Sequence, residues 1–471
     1  MKEKLKRCES LLWLLTKTIL YLLILAIFMG CLAFNTRSLR ALSRSLGITL
    51  STYVIVGLLF LNIYGKYDIG RRKSKPIIYS LVLVTAFTDV ITYLQLMIMR
   101  VNTPNVFAFR LENLGLLLLA FVLQLIVIIA FVYGGNHVFF KIHPPEKCCI
   151  ITSSQQSLDK IVTVIEKFQR QYHIDKILDY RSSDILKQLR DSDTVFLFDV
   201  PVIERSEIVQ YCYKNKINIY FNPEIEDIVE MNSTYYILED VPLLNSNVKS
   251  LTMEQRIIKR LMDLVLAILL GILSCPLWIG AAIAIKLNDG GKILFKQKRA
   301  TINGTVFEVY KFRTMKENVE NRSVSEGDSR ITKPGHFLRR TRIDELPQLL
   351  NIIKGDMTFV GPRPEMLENV SAYTKNLPEF KYRLRVKAGL TGYAQIFGKY
   401  NTSPKDKLLM DLMYIEQFSI LKDLQLMFQT AIVLLKKDST EAFSKKKDSK
   451  YKFVSVAEEE AACASTAGNK E

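Results

Sequence analysis

Only four histidines occur among 471 residues, and they are scattered, which argues against a His-based zinc or haem centre. The seven cysteines, at positions 8, 31, 148, 149, 212, 275 and 463, show no metal-ligand spacing, and an odd count fits reduced intracellular thiols better than a disulfide framework. Acidic residues are in deficit: 47 Asp and Glu face 64 Lys and Arg, a formal net charge of +17. Nucleic acid is one partner such a balance suggests, but the cations cluster beside apolar runs and lack interleaved stacking aromatics, so no nucleic-acid binding is expected. An anionic membrane surface or a phosphorylated substrate remains.

What the chain has in quantity is apolar sequence. Four runs, near 11–34, 48–64, 77–99 and 113–134, reach or approach the roughly 20 residues a helix needs to cross a bilayer. The first follows the basic "MKEKLKR" but is too long for a signal peptide, and further runs follow it. Basic flanks at "MKEKLKR" and "GKYDIGRRKSKP", against the poorer loop "RVNTPNVFAFRLE", predict an inside N-terminus, a four-span domain over 1–137, and a cytoplasmic remainder.

Residues 146–245 alternate β-rich runs ("CCIITSS", "KILDY", "TVFLFD", "INIYFN", "TYYILED") with helix-like segments, the pattern of βαβ units in a Rossmann-like, mostly parallel α/β domain. The first strand runs into "SSQQSLDK", where a dinucleotide site needs glycines, so no dinucleotide is expected there.

A fifth apolar run, 261–287, is broken by Pro276 into halves of about 15 and 11 residues, each too short to span. Basic residues flank both ends, which favours a re-entrant hairpin over a fifth crossing. The remainder, 252–436, reads as a mostly α-helical monotopic domain. Within it, 407–437 has helical spacing that suits a membrane-interface helix and a core-packed helix equally well. Residues 437–471 have too little apolar content to fold alone and are expected to form a flexible tail.

The stretch "TRIDELPQLLNIIKGDMTFVGPRPE", 341–365, concentrates the chemistry. "DELPQLLNIIKG" predicts a helix with Pro347 in its first turn, an apolar face of Leu346, Leu349, Leu350 and Ile353, and a stop at Gly355. Asp344 and Glu345 then lie at its N-terminus, where the dipole favours either a carboxylate or an incoming phosphate. Acidic residues there are commonly structural. Adjacent helical residues also point roughly 100° apart, so the two carboxylates must do different jobs. Arg339, Arg340, Arg342, Lys311, Arg313 and Arg363 surround the pair in sequence. Arginine matches phosphate oxygens bidentately; for Arg340 and Arg342, anionic lipid is an equal alternative.

From "EQRIIKRLMDLVLAILLGILSCPLW" through "VYKFRTM", "SRITKPGHFLRRTRIDELPQLLNIIKGDMTFVGPRPE", "LRVKAGLTGYAQIFGKYN" and "DLMYIEQFSILKDLQLMF", the sequence resembles the bacterial sugar transferases, the polyprenyl-phosphate glycosyl phosphotransferases. The four-span start is similar to the long form known from exopolysaccharide and capsule initiation. The resemblance implies transfer of a sugar 1-phosphate from a nucleoside-diphosphate sugar, most simply a UDP-sugar, to undecaprenyl phosphate. It implies a multi-pass protein of the bacterial inner membrane with its catalytic domain in the cytoplasm. It also implies Asp344 as nucleophile, Glu345 as ligand of Mg²⁺, and Arg339, Lys311 and Arg363 as phosphate-binding residues. Pro276 would break the re-entrant helix, with Cys275 standing where the family has Ser, and Tyr393 stands where Trp is usual. The architecture also allows a homo-oligomer. A non-enzymatic membrane assembly or chain-length regulator is the competing reading, and intact Asp344, Glu345 and Arg339 weigh against it.

Overall fold

The computed structural model describes residues 9–65, 67–70, 72–100, 111–246, 251–316, 328–398, 402–435 and 451–453. They form two compact units, one reaching Asn222 and including 451–453, the other beginning at Pro223.

The first unit opens with α1 (Glu9–Ala33), α2 (Arg44–Tyr64), α3 (Ser74–Arg100) and α4 (Leu114–Ile142). All four are long and apolar enough to cross a membrane. Helix α4 continues to Ile142, past the end of its apolar run near 134. On α1, Leu20, Ile24, Phe28 and Leu32 are buried at a four-residue spacing while Leu15, Ile19 and Leu22 are exposed, so one stripe packs and the rest faces outward. Polar side chains join the helices inside. Tyr53 donates to Asp89 at 3.2 Å, and Gln124 donates to the Ile24 carbonyl at 3.0 Å and to Asp89 at 3.3 Å. The loop used to assign orientation falls largely on 101–110, outside the described residues.

The α/β part follows: β1 (Glu146–Thr152), α5 (Gln155–Ile165), β2 (Tyr172–Asp179), α6 (Ile185–Gln188), β3 (Thr194–Phe198), α7 (Val202–Asn215) and β4 (Asn218–Phe221). The strands are parallel, in the order β2-β1-β3-β4. Helices cover both faces: Cys149, Ile151, Val195 and Leu197 pack with Ile185 and Ile208, whereas Cys148, Ile150 and Phe196 pack with Leu158 and Val162. That two-sided burial explains why the β1 run is continuously apolar. Tyr451 and Phe453 pack against the α5 side, and the Phe453 amide donates to the Gln155 side chain at 2.6 Å. The rest of the expected tail lies outside the described residues. Beyond β1, Asp199 accepts from Ser153 at 3.0 Å and Ser157 at 2.7 Å, so a carboxylate stands at the start of α5, where a pyrophosphate would need donors alone.

The second unit begins with α8 (Ile225–Glu230) and a hairpin, β5 (Thr234–Leu238) and β6 (Val241–Asn245). "TYYILED" was expected to belong with the parallel strands. Instead it pairs antiparallel with β6 across a two-residue turn in which Glu239 takes φ 57°, a hairpin geometry that no crossover helix can replace. Next come α9 (Met253–Leu273) and α10 (Cys275–Asp289), bent by 59°. Thr252 and Gln255 cap α9 reciprocally. Pro276 lies in the first turn of α10, so the bend is a helix end followed by a restart. The hydroxyl expected at this break is supplied one residue early: Ser274 accepts the Trp278 indole N–H at 3.0 Å, and Cys275 is exposed.

Antiparallel β7 (Leu294–Ala300) and β8 (Val306–Phe312) lead to α11 (Lys333–Arg340), a 3-10 turn at Ile343–Glu345, α12 (Gln348–Lys354) and β9 (Thr358–Val360). Then follow α13 (Leu367–Asn376), β10 (Gly389–Thr391), which is parallel to β9, α14 (Tyr393–Phe397), α15 (Pro404–Glu416) and α16 (Ile420–Leu435). The single helix expected over 407–437 is therefore two. Leu408, Leu409, Leu412, Tyr414 and Ile415 on α15 and Leu426 on α16 lie in the core with Leu349, Ile352 and Phe380, so both helices pack on the domain.

Candidate active site

The site is built where α11 turns into α12. Thr332 caps α11 by accepting the Gly335 amide at 3.1 Å. A Cβ on Gly335 would stand 2.1 Å from the Thr314 carbonyl, so this close approach to the end of β8 requires glycine. The chain then reverses at Arg342, which takes φ 59°. A non-glycine residue in that region carries strain of order 1 kcal/mol, held here beside the acidic pair. Asp344 and Glu345 occupy the 3-10 turn Ile343–Glu345, ahead of α12 and not inside it. Gly355, φ 95°, ends α12 as its sequence predicts. The buried face is Leu349 and Ile352; Leu350 and Ile353, expected inside, are 37% and 39% exposed.

The two carboxylates are in opposite electrostatic states. Glu345 Oε1 accepts from Lys311 Nζ at 3.0 Å and Arg363 Nη2 at 2.9 Å, with Arg342 Nη1 at 3.9 Å. Burial opposes its charge, but Lys311, Arg363 and Arg342 outweigh that and hold its carboxyl well below the usual carboxylate range. Asp344 is 8% exposed, and its Oδ1 is buried without a hydrogen-bond partner among the described residues. Burial, reinforced by the Glu345 charge, pushes its carboxyl up to about 6, against the pull of Lys311, Arg339 and Arg342.

Of the cations singled out from the sequence, Lys311, Arg363, Arg339 and Arg342 converge on this pair. Arg339 is anchored by donating from Nε to Thr314 at 2.8 Å; burial lowers its pKa, and the Asp344 charge opposes that. Arg313 instead pairs with Asp289 at the end of α10, and Arg340 is exposed. Pro276 lies at the α9–α10 bend.

Several supporting residues carried no recognised sequence signal. Asn351, fully buried, donates to the Glu308 carbonyl at 2.7 Å and accepts the Tyr310 amide at 3.0 Å, fixing the strand that presents Lys311. Arg299 and Arg383 donate to the main-chain oxygens of Pro364 at 3.2 Å and Arg363 at 2.8 Å, clamping the Gly-Pro-Arg-Pro turn. Buried Lys259, Asp263 and Asp423 hold β9.

A resident ion must fit this donor set. Among the described residues no group of three or more His, Cys, Asp or Glu is placed to hold a metal. Two adjacent carboxylates, one with an orphaned buried oxygen, suit Mg²⁺, which keeps waters and takes one or two protein carboxylates plus substrate phosphates. The donors fit a site completed by substrate.

A buried ionisable carboxyl thus stands beside a second one neutralised by Lys and Arg. The comparisons make the class specific. A bacterial sugar transferase family model matches residues 254–437. Over 189 residues the chain is 39% identical to a UDP-glucose:undecaprenyl-phosphate glucose-1-phosphate transferase of Caulobacter vibrioides, covering 38% of this chain and 71% of that one. It is 38% identical over 184 residues to a UDP-N-acetylgalactosamine-undecaprenyl-phosphate N-acetylgalactosaminephosphotransferase of Aeromonas hydrophila, with coverage of 38% and 44%. It is 36% identical over 219 residues to a UDP-glucose:undecaprenyl-phosphate glucose-1-phosphate transferase of Escherichia coli K12, with coverage of 45% and 46%. The match spans less than half the length of the last two relatives. The chain belongs to the bacterial sugar transferase family and is a transferase.

Proposed function

We propose that this protein transfers a sugar 1-phosphate from a UDP-sugar to undecaprenyl phosphate at the bacterial inner membrane, initiating an exopolysaccharide or capsule chain. The observation that carries the reading is the contrast between Asp344, buried with a free oxygen, and Glu345, held ionised by Lys311 and Arg363. Asp344 Oδ attacks the sugar-bearing phosphorus of the donor. The bond from that phosphorus to the bridging oxygen breaks, and the oxygen leaves on the nucleoside monophosphate. An acyl phosphate then links Asp344 to the sugar phosphate. A phosphate oxygen of the lipid attacks the same phosphorus and displaces the carboxylate.

A carboxylate is a weak nucleophile, and its approach to a doubly charged diphosphate is repelled unless fixed cations neutralise the phosphate oxygens. Arg339, Lys311 and Arg363 supply fixed charge. Glu345, with Asp344 beside it, would hold Mg²⁺, which adds further neutralisation and orients the diphosphate. The bent α9–α10 pair enters and leaves one leaflet as a re-entrant hairpin, keeping the carboxyl at headgroup depth with the catalytic domain in the cytoplasm. The relatives are named for glucose and N-acetylgalactosamine donors, so a panel of UDP-sugars is the right assay. Purified protein in nanodiscs should release UMP with one donor, and Asp344→Asn should abolish release. Unchanged turnover in that variant, or phosphosugar trapped on another residue, removes the mechanism.

A further inference from the structure

Lys259 and Asp263 lie about one turn apart on α9, 8% and 4% exposed, near the start of its long apolar stretch. Burying two charges needs a reason, because each costs several kcal/mol unless paired and hydrogen-bonded. Here both are fully engaged. Lys259 Nζ pairs with the buried carboxylate of Asp423 and donates to the Val360 carbonyl at 3.2 Å. Tyr414 OH reaches the same two acceptors, Val360 O at 2.9 Å and Asp423 at 2.8 Å. Asp263 accepts the Phe359 amide at 3.1 Å and the Thr358 hydroxyl at 2.7 Å. Between them, Arg260 donates to the last carbonyls of α12, Ile352 at 2.6 Å and Ile353 at 2.8 Å.

Three residues within five positions of α9 therefore grip every residue of β9 and the C-terminal end of α12. Those two elements adjoin part of the site. Asp344 and Glu345 precede α12 with only Leu346 and Pro347 between, and Arg363 follows β9 after only Gly361 and Pro362. The connection has little slack: the Gly361 amide donates to Thr391 O at 2.8 Å, and the Gly389 amide donates to Pro362 O at 2.9 Å. A Cβ on Gly361 would come within 2.4 Å of the Lys387 carbonyl. A shift of α9 along its axis is thus passed to the acidic pair and to Arg363 together. Packing alone would have held α9 with apolar side chains; directional bonds to β9 fix its height as well.

We infer that Lys259, Arg260 and Asp263 are positioning residues that set the height of Asp344 and Arg363 relative to the apolar α9–α10 pair, and so relative to the surface where a membrane-embedded polyprenyl phosphate presents its charge. This rests on the proposed phosphosugar transfer. The residues touch no substrate; their effect falls on the lipid acceptor, whose phosphate is fixed in depth, and not on the soluble donor, which approaches freely.

The test uses full-length protein in nanodiscs, with Asp263→Asn and the milder, partly exposed Arg260→Gln. Single-turnover UMP release without acceptor should stay within about threefold of the parent in both variants, whereas KM for undecaprenyl phosphate in the bilayer should rise about tenfold or more. In detergent, with a short, water-soluble polyprenyl phosphate, both variants should again come within about threefold. Equal losses in all three assays would reduce the network to general stability, and no change in any would remove its role altogether. If the parent protein itself releases no UMP with any donor, the proposed function fails first, a result distinct from either outcome.

Discussion

Arg383 donates from Nη2 to the main-chain oxygen of Arg363 at 2.8 Å, while the same guanidinium pairs with Asp411 at 2.8 Å. Both partners are removed from water, at 3% and 1% side-chain exposure. The support beneath a phosphate-binding arginine is therefore itself a buried ion pair. Arg383→Met is expected to destabilise the protein by about 3–5 kcal/mol, since Asp411 loses its principal counter-charge. Adding Asp411→Asn should recover much of that loss. Thermal melts in one detergent compare them; a double variant as unstable as the single would remove the ion pair as the cause.

Asp344→Asn should act in the opposite direction. Burial first, then Glu345, raises the Asp344 carboxyl to about 6 from its ordinary 3.8, so its ionised form is a cost to the fold. That cost is absent below the unfolded pKa and complete once the pH has risen through the folded value. In metal-free protein at pH 8 the Asn variant should be inactive yet more stable, by about 1–3 kcal/mol, with the difference fading toward pH 4. Melts in EDTA across this range check it. A less stable variant at pH 8 would mean that the cations already compensate the charge.

Its neighbour should show the reverse sign. Glu345 is held low by Lys311, Arg363 and Arg342 against its burial, so its contribution is complete above about pH 4.5 and is lost as the pH falls toward the folded value. Arg363 and Lys311 remain 41% and 24% exposed, which limits the effect through solvent screening. Glu345→Gln should therefore cost about 1–2 kcal/mol at neutral pH, a difference that shrinks progressively below about pH 4.5. Two adjacent acidic residues with opposite effects on stability, measured in the same melts, would be the signature of one held in reserve and one held in place.

The acidic pair, Lys311, Arg339, Arg363 and the Pro276 break were legible because each is marked by local sequence: a turn residue, a charge cluster or a proline. The four apolar helices and the alternation of strands were legible from periodicity for the same reason. What sequence did not reveal are contacts between distant segments. Asn351 bonds a strand some forty positions earlier, and Asp263 bonds β9 nearly a hundred positions later. A carboxylate inside the apolar 261–287 run was the available sign of the second, as Asp89 was in the long apolar helices. The run "TYYILED" reads as a strand of the parallel sheet because a short β-rich run looks alike in a sheet and in a hairpin, and only the Glu239–Asp240 turn separates the two.

The bend between α9 and α10 gives a last prediction. Ser274 accepts the Trp278 indole at 3.0 Å, and Trp278 meets Phe312 edge to face at 5.6 Å. Phe312 follows Lys311 directly, so the bend is linked through one aromatic contact to the strand that holds Glu345. Ser274→Ala leaves the indole N–H without its acceptor and should cost about 1 kcal/mol, seen as a lower melting temperature and a shifted Trp278 indole resonance. Cys275→Ser, although it restores the residue usual in the family, should change stability by less than about 0.5 kcal/mol because Cys275 is exposed. Were the Cys275 substitution the one that mattered, the hydroxyl that organises the break would belong at 275, and the hydrogen bond from Trp278 would be incidental.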